Sequence, residues 1–150
     1  MASKTKMLPT DSAPAGWTDV LAQVPLFSGL SKRHVRSLAK LAKVQRFPAY
    51  TDLVRQGERG NSFHLILDGQ AVVHPAGKRP VKLSSGAYFG ELALLTDAPR
   101  SATVTAQSEV VVARIGRDDF LRMLEHEPKV TLALLRTMAA QMRPSQPGRG

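Results

Sequence analysis

The sequence predicts a mainly β fold with helices at both ends, its strands closing into a jelly-roll barrel. Three observations carry this: short β-like runs punctuated by Gly and Pro between residues 44 and 115, an Asp68-Gly69 turn between two of them, and helical periodicity before and after. A chain of 150 residues suits one domain. The expected boundaries are a disordered N-terminal tail over 1–16, the folded domain over 17–143 with N-terminal helices and two C-terminal helices, and a disordered C-terminal tail over 144–150.

The elements follow in order. Residues 1–16 contain Pro9, Pro14 and Gly16 without periodic apolar positions, hence the expected tail. Trp17, Val20 and Leu21 predict a short helix stopped near Pro25, then an apolar turn, PLFSGL. Ser31 suits a helix N-cap, and Val35, Leu38, Ala39 and Ala42 recur at helical spacing over 31–43, with Lys32, Arg36, Lys40 and Lys43 on another face. β-like runs are expected at 63–67, 70–74, 81–83, 101–105 and 109–115, and Asp68-Gly69 is expected to close a hairpin. A helix over 117–125 is expected to turn Phe120, Leu121 and Leu124 inward. Pro128 then opens a last helix whose apolar stripe reads Leu135, Met138, Ala139 and Met142, widened by Val130, Leu132 and Leu134. The tail RPSQPGRG ends the chain.

Composition excludes several classes. With no cysteine there is no disulfide scaffold, thiolate zinc site, iron–sulfur cluster or cysteine nucleophile. No stretch approaches the roughly 20 apolar residues that span a bilayer, and the N-terminus has no signal-like apolar core, so a soluble, cytoplasmic protein without a membrane span is expected. The formal charge of +9 attracts anions, and no acidic residue occurs between Asp19 and Asp52, so the helix over 31–43 carries much of it. A solvated helix face is the expected reading of that segment, with an anionic partner as the alternative. His34, His64, His74 and His126 are dispersed, with no His-x-His pair, so no metal site is expected. Neither a nucleophile elbow nor a P-loop is present, and the chain reads as a non-enzyme. It ends too soon after the last helix for a helix-turn-helix, so sequence-specific DNA binding is not expected.

Residues 86–104, GAYFGELALLTDAPRSATV, are the informative segment. Gly90 opens a short helical turn whose first N–H groups lack internal partners and suit an anion. Arg100, after Pro99 and before a β-run, is placed to supply a forked cation to the same anion. Glu91 is acceptor-only. Beside a phosphate it would be repelled, so it makes sense where the ligand also offers hydroxyls, as a ribose does. Phosphate plus ribose points to a nucleotide.

With those residues in view, the segment closely resembles the phosphate-binding cassette of the cyclic nucleotide-binding domain family, whose pattern is F-G-E-x-A-L, a spacer, then P-R-x-A. The likeness extends to LVRQGERGNSFHLILDGQAVV over 53–73 and to residues 24–30, covering about 17–143. The resemblance implies that Glu91 accepts from the ribose 2'-hydroxyl and that Arg100 pairs with the cyclic phosphate. Phe89, Gly90, Leu92 and Ala93 belong to the same site, Gly90, Leu92 and Ala93 through their backbone, and Ser101 adds a hydroxyl. Ser101 favours cAMP over cGMP, for which threonine is the more usual signature. Leu134, Leu135 and Met138 are candidates to stack on the base, with packing against the barrel or a second subunit the preferred reading. The resemblance further implies a sensor of the stand-alone prokaryotic type that relays binding to the last two helices and a protein effector, with a homodimer through the last helix. The alternatives are an interaction module of the same fold that binds cGMP or no nucleotide, and the regulatory fragment of a larger effector protein.

Overall fold

The computed structural model describes residues 5–143. Strand β1 (Lys6–Leu8) precedes helix α1 (Trp17–Ala22), a 3-10 turn (Pro25–Phe27) and helix α2 (Lys32–Ala39). Strands β2 (Lys43–Phe47), β3 (Asp52–Val54), β4 (Ser62–Asp68), β5 (Ala71–Pro75), β6 (Val81–Leu83) and β7 (Tyr88–Phe89) follow. Another 3-10 turn (Glu91–Leu94) leads to β8 (Ala102–Ala106), β9 (Val110–Gly116), α3 (Arg117–His126) and α4 (Pro128–Gln141). The strands pair antiparallel in two sheets, ordered β1-β2-β9-β4-β7 and β3-β8-β5-β6, and make the jelly-roll expected from the sequence.

Two apolar layers flank the first sheet. Alternation sends Phe63 and Leu65 of β4 and Ala113 and Ile115 of β9 to one face, against Leu21, Phe27, Leu38, Phe120, Val130 and Leu134 of the helical segments. Ile66, Val110 and Val112 face the other way and pack with Phe47 on Ala71, Val104 and Ala106. Covered on both faces, β4 is buried from Ser62 to Ile66, the polar Ser62 and His64 included. The Phe27 ring meets Phe63 edge-on, centroids 5.4 Å apart at 79°. Ser31 caps α2 as expected, its hydroxyl accepting from the His34 N–H at 3.2 Å.

Five expectations are corrected. Within the expected tail 1–16, Lys6–Leu8 is a strand, each residue paired with β2; an exposed sheet edge organised a segment with no local signal. The 1–4 part of that tail, and the C-terminal tail 144–150, lie outside the described residues. The helix predicted over 31–43 stops at Ala39, because Lys43–Phe47 pairs with Val110–Arg114 across the first sheet. Asp68-Gly69 does turn with a left-handed glycine, φ +91°, yet it closes no hairpin: β4 lies in one sheet and β5 in the other, and the turn carries the chain between them. In α3, Met123 is buried with Phe120, while Leu121 is exposed. In α4 the inward row is Val130, Leu134 and Met138, four residues apart, and Leu135, Ala139 and Met142 face outward. Where the helix docks decides its inner face, and α4 docks on the 25–27 turn.

Candidate functional site

The segment 88–101 is held between the two sheets. β7 pairs Phe89 with His64 and Tyr88 with Leu65, and Gly90 then turns the chain with φ +84° into the 3-10 turn. Ala93 N–H donates to the Gly90 carbonyl at 3.0 Å, leaving the Glu91 and Leu92 N–H groups at the head of the turn. Ala93 and Leu94 anchor it from below by burial. Leu92, in contrast, is two-thirds exposed.

Arg100 is fixed from both ends. Its N–H donates to the Glu58 carbonyl at 2.8 Å and its own carbonyl accepts from Gly57 N–H at 2.9 Å, so the chain at 57–60 runs beside 98–100. The half-buried guanidinium donates through Nη2 to the Ser62 carbonyl at 2.8 Å and to the Ser62 hydroxyl at 3.3 Å. Two glycines make room for it. A Cβ on Gly60 would stand 2.7 Å from Nε, and one on Gly90 would strike Nη1 and stand 2.7 Å from the Ser62 carbonyl. Burial lowers the Arg100 pKa from its ordinary value, and the nearby Arg114 charge lowers it further.

A cavity of about 510 Å³ opens over this turn, and all seven sequence-predicted residues, Phe89, Gly90, Glu91, Leu92, Ala93, Arg100 and Ser101, line it. Such a volume falls within the ordinary range for small-ligand sites. Burial raises the Glu91 carboxyl above the usual carboxylate range, opposed by a contact with its own backbone N–H. The Tyr88 phenol is raised by burial and then by the Glu91 charge.

Val54 of β3, Val73 of β5 and Val104 of β8 supply an apolar wall that sequence reasoning did not assign to the site. Their alternation marks them only as strand residues, and nothing local says which cavity they face. Leu134, Leu135 and Met138 do not line it: Leu134 is in the helical core, Met138 packs against that core, and Leu135 is exposed. Ser62, which holds the guanidinium, also went unassigned.

Arg117, the first residue of α3, reaches back to this segment. Its Nη1 donates to the Thr96 carbonyl at 2.8 Å and its Nη2 lies 3.5 Å from the Asp97 carboxylate. Asp97 also accepts from Arg59 at 2.6 Å. Among the described residues no cluster of three His, Cys, Asp or Glu is arranged to hold a metal ion, and no helix is long and apolar enough to cross a membrane.

Fold and cavity together define a small-ligand-binding domain of the jelly-roll class. The family model for the cyclic nucleotide-binding domain matches residues 44–127, more than half of the chain, and the chain belongs to that family. It is 42% identical over 106 residues to the cAMP-dependent protein kinase regulatory subunit of Emericella nidulans, which covers 69% of this chain and 26% of that protein. The chain thus spans about a quarter of that relative's length, and over the shared stretch it is homologous to a regulatory rather than a catalytic subunit. Among solved structures, the N-terminal domain of a transcriptional regulator from Streptomyces coelicolor A3(2) superposes with a TM-score of 0.75 at 28% identity, covering 83% of this chain and 90% of that one. The cAMP-bound PfPKA-R superposes with a TM-score of 0.63 at 26% identity, covering 85% and 48%.

Proposed function

We propose that the chain is a cyclic nucleotide sensor that binds cAMP, in preference to cGMP, in the cavity over residues 89–101. The observation that carries this reading is the convergence of the Gly90-headed turn, the Arg100 guanidinium and the Glu91 carboxylate on one apolar-walled cavity. In this pose the N–H groups at the head of the turn and Arg100 donate to the cyclic phosphate, Ser101 adds its hydroxyl, and Glu91 accepts from the ribose 2'-hydroxyl. The base lies against Val54, Val73 and Val104, a dry surface suited to a planar ring. The similarity to cAMP-dependent kinase regulatory subunits and to a cAMP-bound relative supports cAMP.

The signal then passes to α3 and α4 and to a protein effector. Arg117 supports this route, since it ties the first turn of α3 to Thr96 and Asp97 at the end of the cassette. The outward row Leu135, Ala139 and Met142 on α4 supports that helix as the surface offered to a partner, a second copy of the chain included.

Isothermal calorimetry against cAMP, cGMP and AMP tests the binding step. Saturable binding of cAMP, weaker binding of cGMP and none of AMP are expected. Arg100→Ala is expected to lose about 1.5–3 kcal/mol, one to two decades in affinity. Glu91→Ala is expected to lose discrimination for the ribose hydroxyl. Unchanged affinity in both variants would refute the site.

A further inference from the structure

A second cavity, of about 480 Å³, lies behind Arg100, between the β2–β9–β4 face of the first sheet and β3 of the second. Arg100 and Val54 line both cavities. Four guanidinium groups line the second, Arg55, Arg59, Arg100 and Arg114, against two carboxylates, Asp52 and Glu58. Most of these charges are already engaged. Asp52 accepts from Arg55 Nε at 3.1 Å and from the Thr105 hydroxyl at 2.8 Å, Arg59 is drawn away by Asp97, and Glu58 is exposed at the rim.

Arg114 is different. It is half-buried, and among the described residues its side chain makes no hydrogen bond or ion pair. It stands directly across the β4–β9 ladder from His64. His64 also lines the cavity, is 3% exposed, and has an Nδ1 with no hydrogen-bond partner among the described residues. The Arg114 charge acts on both Arg100 and His64, adding to the effect of burial on each. Two partly desolvated guanidinium groups on one wall, that of Arg114 without a partner among the described residues, are compensated by an anion.

We propose that this cavity is an oxyanion site distinct from the cassette, taking a small phosphate-type dianion held by Arg114, with Arg100 and His64 on the adjoining wall. The forked guanidinium of Arg114 matches two oxygens of such an anion, and Gln45, Asn61 and Ser62 are among the polar residues that line the same cavity.

The test is calorimetry of the full chain with inorganic phosphate, sulfate, acetate and chloride at constant ionic strength, on wild type and Arg114→Gln. No nucleotide is needed, so failure of cAMP binding leaves this result standing on its own. Wild type is expected to bind phosphate and sulfate and to bind acetate and chloride at least tenfold more weakly, with Arg114→Gln losing about tenfold or more for phosphate. Equal phosphate affinity in the two proteins would place the anion in the cassette and overturn the proposal, as would no phosphate binding by wild type or equal binding of chloride. Should Arg114→Gln fail to fold, Arg114→Lys replaces it. That variant keeps the charge and loses the fork, so phosphate is expected to weaken about threefold or more, and an unchanged affinity refutes the fork.

Discussion

Replacing His64 by phenylalanine is expected to make the protein less sensitive to acid, and the size of the effect follows from where the ring sits. The imidazole is stacked on Phe89, centroids 4.8 Å apart and 10° from parallel, inside the first sheet. Burial pushes its pKa from 6.5 down to about 3, and the Arg100 and Arg114 charges add to the shift. A depressed pKa means that the unfolded chain takes up the proton first. The contribution is therefore fully present above pH 6.5 and is lost as pH falls toward 3. Carried to its end, the shift corresponds to about 5 kcal/mol, and between about pH 7.5 and about pH 5 roughly 2 kcal/mol is lost. Phenylalanine keeps the aromatic stack and removes the titration. Its packing cost, about 1–3 kcal/mol for added volume, does not vary with pH and cancels in the comparison of slopes. Urea unfolding of both proteins across that range is the assay. Wild type is expected to lose about 2 kcal/mol more than His64→Phe. Parallel curves would refute the claim that His64 is held neutral by burial between two guanidinium charges.

Three further outcomes follow from the same geometry. Gly90→Ala combines a left-handed backbone, about 1–2 kcal/mol for a residue with a Cβ, with a close approach to the Ser62 carbonyl and Arg100; Gly77→Ala, at φ +69° in open space, carries the backbone term alone. Urea unfolding is expected to show the larger loss for Gly90→Ala, and equal losses would remove the cradle argument. Arg117→Ala is expected to leave cyclic nucleotide affinity within about threefold while abolishing the ligand-dependent change in hydrogen-exchange protection of α3; retention of that change would rule out Arg117 as the link. Because burial raises the Glu91 pKa in the folded state, its ionised form opposes folding at neutral pH. Glu91→Gln is thus expected to raise the melting temperature of the ligand-free protein at pH 7, an advantage that disappears in acid, and to weaken nucleotide binding.

The cassette was legible because its chemistry is local. Gly90, Glu91 and Arg100 lie within one short segment, and the left-handed glycine, the turn and the proline before the arginine are backbone properties that neighbours in sequence impose. The core strands and both C-terminal helices were legible for the same reason, through periodicity. Asp68-Gly69 shows the limit: its residues specify a tight turn, but whether that turn joins paired strands or crosses between sheets depends on β9 and β8, some 40 residues away. Likewise, nothing in KML at 6–8 marks a strand until β2 offers it an edge.

By itself, then, the sequence determined the fold class, the family and the Gly90-headed turn, all set by short-range conformational preferences and side-chain type. Only the tertiary structure decided that Ser62 carries the Arg100 guanidinium, that valines from three strands wall the cavity, that α4 turns Leu135 and Met142 outward, and that Arg114, without a side-chain partner among the described residues, stands opposite a buried His64. Each of these depends on which strands pair, in what register, and which face a helix docks. Those choices are made by burial and pairing summed over the whole chain, a free energy no local window contains.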